Sequence, residues 1–306
     1  MSGRRPLLVI ITGPTASGKT NLAVNMAIEF NTDVFSSDSR QFYREIPIGT
    51  AAPTIEEQRG VKHHFIGHLS IHDDYNVSRY EIDALNALNQ FYSSNDIAIM
   101  AGGAGLYIDA VAKGMDEMPD PDPIIRAQLE LLLLNEGIGA LQQKLKSLDE
   151  CFYNEVDLQN PKRLLRAIEV CLITGTPYSE LRKAGVKSRP FDILYLGALR
   201  EKEELAQRIA LRVNLMLEQG LEEEARSVYP YKNCNALQTV GYKELFAYFD
   251  GLITKEEAIE QIIVNTRRYA KRQMTWFKRN TEINWIDPNE PDIAKELINK
   301  RYSEGF

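Results

Sequence analysis

Residues 13–20 are GPTASGKT, set directly after the apolar run LLVIIT and directly before NLAVNMAIEF, whose apolar residues recur at helical spacing. A glycine-rich turn of the form G-x4-G-K-[ST] between a strand and a helix restricts the folds open to the chain. Its backbone N–H groups and the helix N-terminus form an anion cradle. Lys19 adds a cation that can reach a terminal phosphate, and the Thr20 hydroxyl can hold Mg2+. Average composition yields this spacing by chance in about one chain of this length in a hundred. A bare glycine turn is therefore the weaker reading.

The strand–turn–helix scheme recurs. DVFSSDSRQFY starts as a second strand and runs out into polar residues, and DIAIMAGGAGLYIDAVAKG gives a strand over Ile97 to Ala101, a glycine turn and a helix. FDILYLGAL, Phe191 to Leu199, is a further strand. Strands alternating with helices predict an α/β fold, a parallel sheet flanked by helices on both faces. Ligands then sit at the carboxyl ends of the strands, here TGPTASGKT, SSDSRQ and AGGAG. At GMDEMPDPDP the composition shifts to alternating prolines among acids, which suits a stiff linker. Beyond it only helical patterns follow. PIIRAQLELLLLNEG and NPKRLLRAIEVCLITG each place Pro at a helix start and Gly past its end. The expected organisation is a core of residues 1–118 and 187–306, with an all-helical insertion domain at 119–186.

Composition narrows the partners. No apolar run approaches the roughly 20 residues that cross a bilayer, so no membrane is expected. The N-terminal apolar run ends in the phosphate loop rather than a cleavage site, and so reads as a buried strand. Cys151, Cys171 and Cys234 are far apart and odd in number, which suits a reduced, cytoplasmic location. A net charge of −7 argues against a broadly basic nucleic-acid binder but leaves room for a local basic surface.

The loop alone does not name the group attached to the phosphate. P-loop NTPases hold Mg2+ with a second acid at another strand end, and the strand DIAIM ends instead in AGGAG. That weakens an ATPase or GTPase reading. Asp38, at the end of the second strand, is the acid that remains: a general base or metal partner, or with equal weight a turn-capping aspartate. The histidines His63, His64, His68 and His72 cluster, but no cysteine or helical His/Glu frame accompanies them, so metal binding is the weaker reading. TRRYAKRQMTWFKRN puts Arg267, Arg268, Lys271, Arg272, Lys278 and Arg279 on one side of a helix, with Ile263, Ala270, Met274 and Phe277 near the other. Such a helix docks by its apolar side, and its cations suit a phosphate backbone. Trp276 and Trp285 are expected in the core.

These blocks, with VKHHFIGHLSIHDDYNVSRYEIDA, RIALRVNLMLEQGLEEEA and TVGYKEL, resemble in order the tRNA dimethylallyltransferases, also called tRNA isopentenyltransferases, from Leu8 to about Trp285. The resemblance implies a P-loop NTPase-like core whose loop holds the pyrophosphate of dimethylallyl diphosphate instead of a nucleotide. It implies transfer to the exocyclic N6 of the adenosine just 3′ of the anticodon, in tRNAs reading codons that begin with U. Gly13, Pro14, Thr15, Ala16, Ser17, Gly18, Lys19 and Thr20 would hold the diphosphate, with Mg2+ on Thr20. Asp38 matches the general base and Arg212 the arginine on the pyrophosphate; Arg208, one turn earlier, is a weaker candidate. The tRNA anticodon stem-loop would meet Asp38, Ser39, Arg40 and Gln41; Ala104; Arg126; Lys162, Arg163, Leu164, Leu165 and Arg166; and Thr239, Val240, Gly241, Tyr242 and Lys243. A monomer without a structural metal is expected.

Two positions depart from the family pattern. The chain has GGAGLY where GGTGLY is usual, so Ala104 lacks a hydroxyl worth about 1 kcal/mol in one hydrogen bond. It has GTAAP where GTAKP is usual, so Ala52 removes a cation. Alternatives are a prenyltransferase acting on free adenine nucleotides and an ATP-dependent small-molecule kinase.

Overall fold

The computed structural model describes residues 5–183 and 185–304. The chain divides into two compact units, one of residues up to 112 and from 188 onward, the other Lys113–Lys187.

In the first unit, β1 (Leu7–Thr12) leads through the glycine-rich turn into α1 (Lys19–Glu29), then β2 (Val34–Ser36), the one-turn α2 (Ile55–Gln58) and β3 (His63–His64). α3 (Val77–Phe91), capped by Asn76, precedes β4 (Ile97–Gly102) and α4 (Gly105–Lys113). The second unit is helical: α5 (Pro123–Glu136), α6 (Ile138–Leu148), α7 (Glu150–Glu155), α8 (Pro161–Thr174) and α9 (Tyr178–Leu181). The Pro and Gly punctuation read from sequence has its local cause here. Asp122 and Asn160 accept from the first-turn N–H groups of α5 and α8, and Gly175 takes the left-handed conformation at the end of α8, with φ 69°. Leu129, Leu141, Leu145, Leu164, Leu165 and Ile168 form this unit's own core.

The chain returns to the first unit with β5 (Asp192–Ala198), α10 (Lys202–Glu218), α11 (Leu221–Val228), α12 (Tyr242–Phe249), the long α13 (Lys255–Phe277), β6 (Asn284–Ile286) and α14 (Pro291–Glu304). The sheet order is β3-β2-β4-β1-β5-β6, parallel throughout. All six residues of β1 are buried, as a central parallel strand covered on both faces requires. Trp276 and Trp285 pack against the larger core, half-buried.

Register positions the site. Thr12 pairs with Gly102 of β4 and Gly197 of β5, and Ala101 of β4 pairs with Ser36 of β2. The carboxyl ends of three adjacent strands are therefore level, and the loops GPTASGKT, SSDSRQ and GGAG leave the sheet side by side.

Candidate active site

The phosphate loop needs glycine at two points. Gly18 has φ 98°, which an L side chain rarely adopts, and a Cβ on Gly13 would lie 2.7 Å from the Ala198 carbonyl oxygen. Between them the crown of the loop is held by side chains from α10, its lead-in and α13. Arg212 donates to Thr15 Oγ1 at 3.3 Å, Arg208 to the Ala16 carbonyl at 2.9 Å and Arg200 to the Ser17 carbonyl at 3.1 Å. Gln273 accepts from Thr15 N at 2.8 Å. Lys19 Nζ donates to the Pro14 carbonyl at 3.0 Å. Gly13, Pro14 and Ser17 are buried, whereas Thr20 is exposed at the rim.

Two cavities open on the loop. The first is lined by Thr15, Lys19, Thr20, Ser36, Asp38, Gln41, Thr50, His63, Gly102 and Arg212 among others. The second is lined by Thr15, Asp38, Arg40, Thr50, Arg212, Thr239, Val240, Gly241, Thr266 and Tyr269, with an apolar wall of Ile209, Val213, Met216, Leu221 and Ile262. Thr15, Asp38, Thr50 and Arg212 belong to both and mark their junction.

Asp38 makes the turn weighed from sequence and also lines both cavities. Its Oδ1 accepts from Arg40 N at 3.0 Å and closes a turn, while the carboxylate faces both cavities. Burial lowers the Lys19 pKa to about 8, with Asp38 opposing the shift and Arg212 adding to it. Burial also lowers the Arg212 pKa, against Asp38 and Glu57. The junction is thus a partly desolvated site with two cations and one carboxylate, an arrangement that gains free energy when an anion enters.

The remaining expected residues differ in placement. Arg40 donates to the Asn235 and Ala236 carbonyls at 2.8 and 3.2 Å and lines the second cavity, as do Thr239, Val240 and Gly241. Gln41 ties its loop to the Ala51 carbonyl at 3.0 Å. Ser39 is half-buried in the Asp38 turn, Ala104 is half-buried at the entry to α4, and Lys243 is exposed. Tyr242, by contrast, is fully buried, so its ring is no surface contact. Its hydroxyl donates to Glu224.

In the helical unit, Lys162 and Arg163 are exposed. Leu164 and Leu165 are core residues, because the helical period turns part of any five-residue run inward. Arg126 and Arg166 converge on the buried Glu169, at 2.5 and 2.7 Å. Arg166 also donates to the Pro119 carbonyl at 2.6 Å.

Four residues went unread in the sequence: Thr50, Gln273, Glu224 and Tyr269. Gln273 and Glu224 carry a recognisable signal. Gln273 falls between the buried Ala270 and Phe277 at spacings of three and four, and Glu224 falls likewise between Leu221 and Val228. A polar residue inside a buried helical stripe needs a partner, and that partner is worth seeking. Among the described residues, no cluster of three His, Cys, Asp or Glu side chains is arranged to hold a metal ion.

Comparison with known proteins gives a consistent picture. The family model described as IPP transferase matches residues 41–280. The chain is 48% identical over 285 residues to tRNA dimethylallyltransferase 2 of Azobacteroides pseudotrichonymphae, covering 93% of each chain. Among solved structures it is similar to the full-length tRNA isopentenylpyrophosphate transferase of Bacillus halodurans, with TM-score 0.73 and 33% identity over 98% of both chains. It is also similar to a eukaryotic dimethylallyltransferase acting on tRNA, with TM-score 0.77 and 27% identity over 92% of this chain and 74% of that one.

Proposed function

The chain belongs to the IPP transferase family, the tRNA dimethylallyltransferases, and on that premise we propose how its two cavities divide the reaction. The protein is a transferase that prenylates tRNA. Its donor is dimethylallyl diphosphate. Its acceptor is N6 of the adenosine immediately 3′ of the anticodon, in tRNAs reading codons that begin with U.

The diphosphate occupies the first cavity, against the phosphate loop of residues 13–20, Lys19 and Arg212. Mg2+ fits this donor set: a magnesium site is completed by substrate phosphates and water, and the exposed Thr20 hydroxyl opens on the same cavity. When bound, the ion neutralises charge on the leaving diphosphate. The adenine, flipped from the anticodon loop, enters the second cavity. N6 attacks the allylic C1, the N6–C1 bond forms, and the C1–O bond breaks with its electron pair going to the diphosphate. Asp38 accepts the proton that N6 loses and orients the amine by a hydrogen bond. Lys19 and Arg212 act where negative charge grows.

The carrying observation is the junction: Asp38, Arg212, Thr15 and Thr50 line both cavities, so a base and a diphosphate cation face one meeting point. The exposed side of α13 carries Arg267, Arg268, Lys271 and Arg272, with Lys278 and Arg279 just beyond its end, and these six cations suit an RNA backbone. Arg126, Lys162, Arg163 and Arg166 supply further cations for the anticodon stem-loop from the helical unit, which acts as a tRNA-contacting domain. No helix among the described residues is long and apolar enough to cross a membrane. The enzyme works as a cytoplasmic monomer.

A transfer assay tests this reading. Protein, Mg2+ and labelled dimethylallyl diphosphate are incubated with unmodified tRNA, beside AMP, ADP and ATP as acceptors. Label in tRNA that is lost in Asp38→Ala supports the assignment. Label confined to free nucleotides, or absent from every acceptor, overturns it.

A further inference from the structure

Gln273 is 6% exposed, deep on the inner side of a helix whose outer side is basic. Its Oε1 accepts from Thr15 N at 2.8 Å and its Nε2 donates to the Gly103 carbonyl at 2.9 Å. Both partners fix the orientation of the amide, since a backbone N–H only donates and a carbonyl only accepts. Thr15 lies in the crown of the phosphate loop, beyond β1. Gly103 lies in the turn beyond β4, beside Gly102, which lines the first cavity. One side chain therefore sets the gap between the two loops. The approach is close, for a Cβ on Gly103 would lie 2.2 Å from Gln273 Nε2.

We infer that Gln273 is a positioning residue for diphosphate binding: by bridging Thr15 N–H to Gly103 C=O, it holds the crown of the phosphate loop where Arg212 and the loop N–H groups receive the diphosphate. The inference rests on the assignment of the first cavity to that ligand. Only a side chain with one donor and one acceptor on the same carbon does this. Methionine fills the space with neither. An ionised glutamate accepts from Thr15 but sets a carboxylate oxygen against the Gly103 carbonyl. A protonated glutamate reproduces glutamine, because its O–H replaces the N–H. The Gly103 carbonyl, which accepts from this position at 2.9 Å, favours that protonated form.

The experiment is calorimetric titration of inorganic pyrophosphate, with Mg2+, into the full chain, with the wild type and both variants measured at each pH. Gln273→Met should weaken binding by about tenfold at every pH, the size of one mispositioned charged contact. Gln273→Glu should match it near neutrality and recover toward wild type as the pH falls to about 5 and the carboxyl takes up its proton. In the transfer assay KM for dimethylallyl diphosphate should rise while KM for tRNA holds. Unchanged pyrophosphate affinity in Gln273→Met, or identical losses in the two variants at every pH, overturns the inference and leaves the function intact. A wild-type chain that binds no pyrophosphate overturns the cavity assignment itself.

Discussion

Tyr242 donates its buried hydroxyl to Glu224 at 2.5 Å, and the same carboxylate accepts from Ile48 N and Gly49 N at 2.8 Å each. Gly49 has no room for a side chain here, since a Cβ would lie 2.4 Å from the Tyr242 oxygen. This anchor holds the loop that carries Thr50 into both cavities. Glu224→Ala leaves three donors without their acceptor and should cost about 3 kcal/mol in urea unfolding. Tyr242→Phe removes one bond, costs about 1 kcal/mol and leaves tRNA affinity unchanged, because the ring does not reach the surface.

Removal of the Asp38 carboxylate separates chemistry from binding. Asp38→Asn keeps the turn, since the amide oxygen still accepts from Arg40 N, but it no longer accepts the N6 proton. Single-turnover transfer should fall by about a thousandfold. Pyrophosphate binding should become tighter, because the carboxylate that faces the anion cavity is gone. Equal or weaker pyrophosphate binding in Asp38→Asn would count against the shared junction.

The lowered pKa of Lys19, about 8, makes diphosphate affinity pH-dependent. The bound anion favours the charged ammonium, so affinity is full below that pH and falls by about one proton's worth as the pH rises through it. The donor's own last ionisation lies lower, near the roughly 6 of a phosphate monoester, and does not mask the loss. Stability of the free protein follows the opposite course. Between about 8 and the ordinary 10.5, the unfolded chain holds a proton that the folded chain has released, so stability rises with pH across that window. In Asp38→Asn the affinity midpoint moves to lower pH, because Asp38 is the charge that raises the Lys19 pKa. Titrations from pH 7 to 10 check all three.

The salt dependence of tRNA binding reports the basic helix. Arg268 and Lys271 are exposed on α13, on the side away from Gln273. Arg268→Ala with Lys271→Ala should lower tRNA affinity and flatten the slope of log K against log salt by about 1 to 2. Pyrophosphate binding should not change.

The fold was legible because its signals are local. LLVIIT is apolar without alternation, the glycine spacing is rigid, and Pro123 and Pro161 mark helix starts at which α5 and α8 begin. The site was legible as far as motifs end on strands: residues 13–20 and Asp38 meet because β1, β4 and β2 finish level. Contacts made by single side chains across the fold were not. Gln273 lies 258 residues from Thr15, and Glu224 176 from Ile48. Neither partner shows in a local pattern, although a polar residue in a buried stripe marks each. Leu164, Leu165 and Tyr242 show the converse, since a contiguous run read from sequence includes side chains that pack in the core.

Glu169 concentrates the electrostatics of the helical unit. Its carboxylate is wholly buried, accepting from Arg126 Nε at 3.1 Å and Nη2 at 2.5 Å and from Arg166 Nη1 at 2.7 Å. Two guanidiniums on one carboxylate leave a net positive charge, and each arginine stays about 30% exposed, 27% for Arg126 and 30% for Arg166. That suits a pair of cations presented to RNA from a fixed base. Glu169→Ala leaves both arginines without their shared acceptor and should destabilise the unit by about 3–5 kcal/mol, read as an earlier thermal transition. Arg126→Ala keeps the Arg166 bond to Glu169 and should cost less. Its main effect should be on tRNA affinity, by about tenfold, with pyrophosphate binding unchanged. A loss of pyrophosphate binding in Arg126→Ala would mean that the arginine acts on the fold as a whole instead of on RNA.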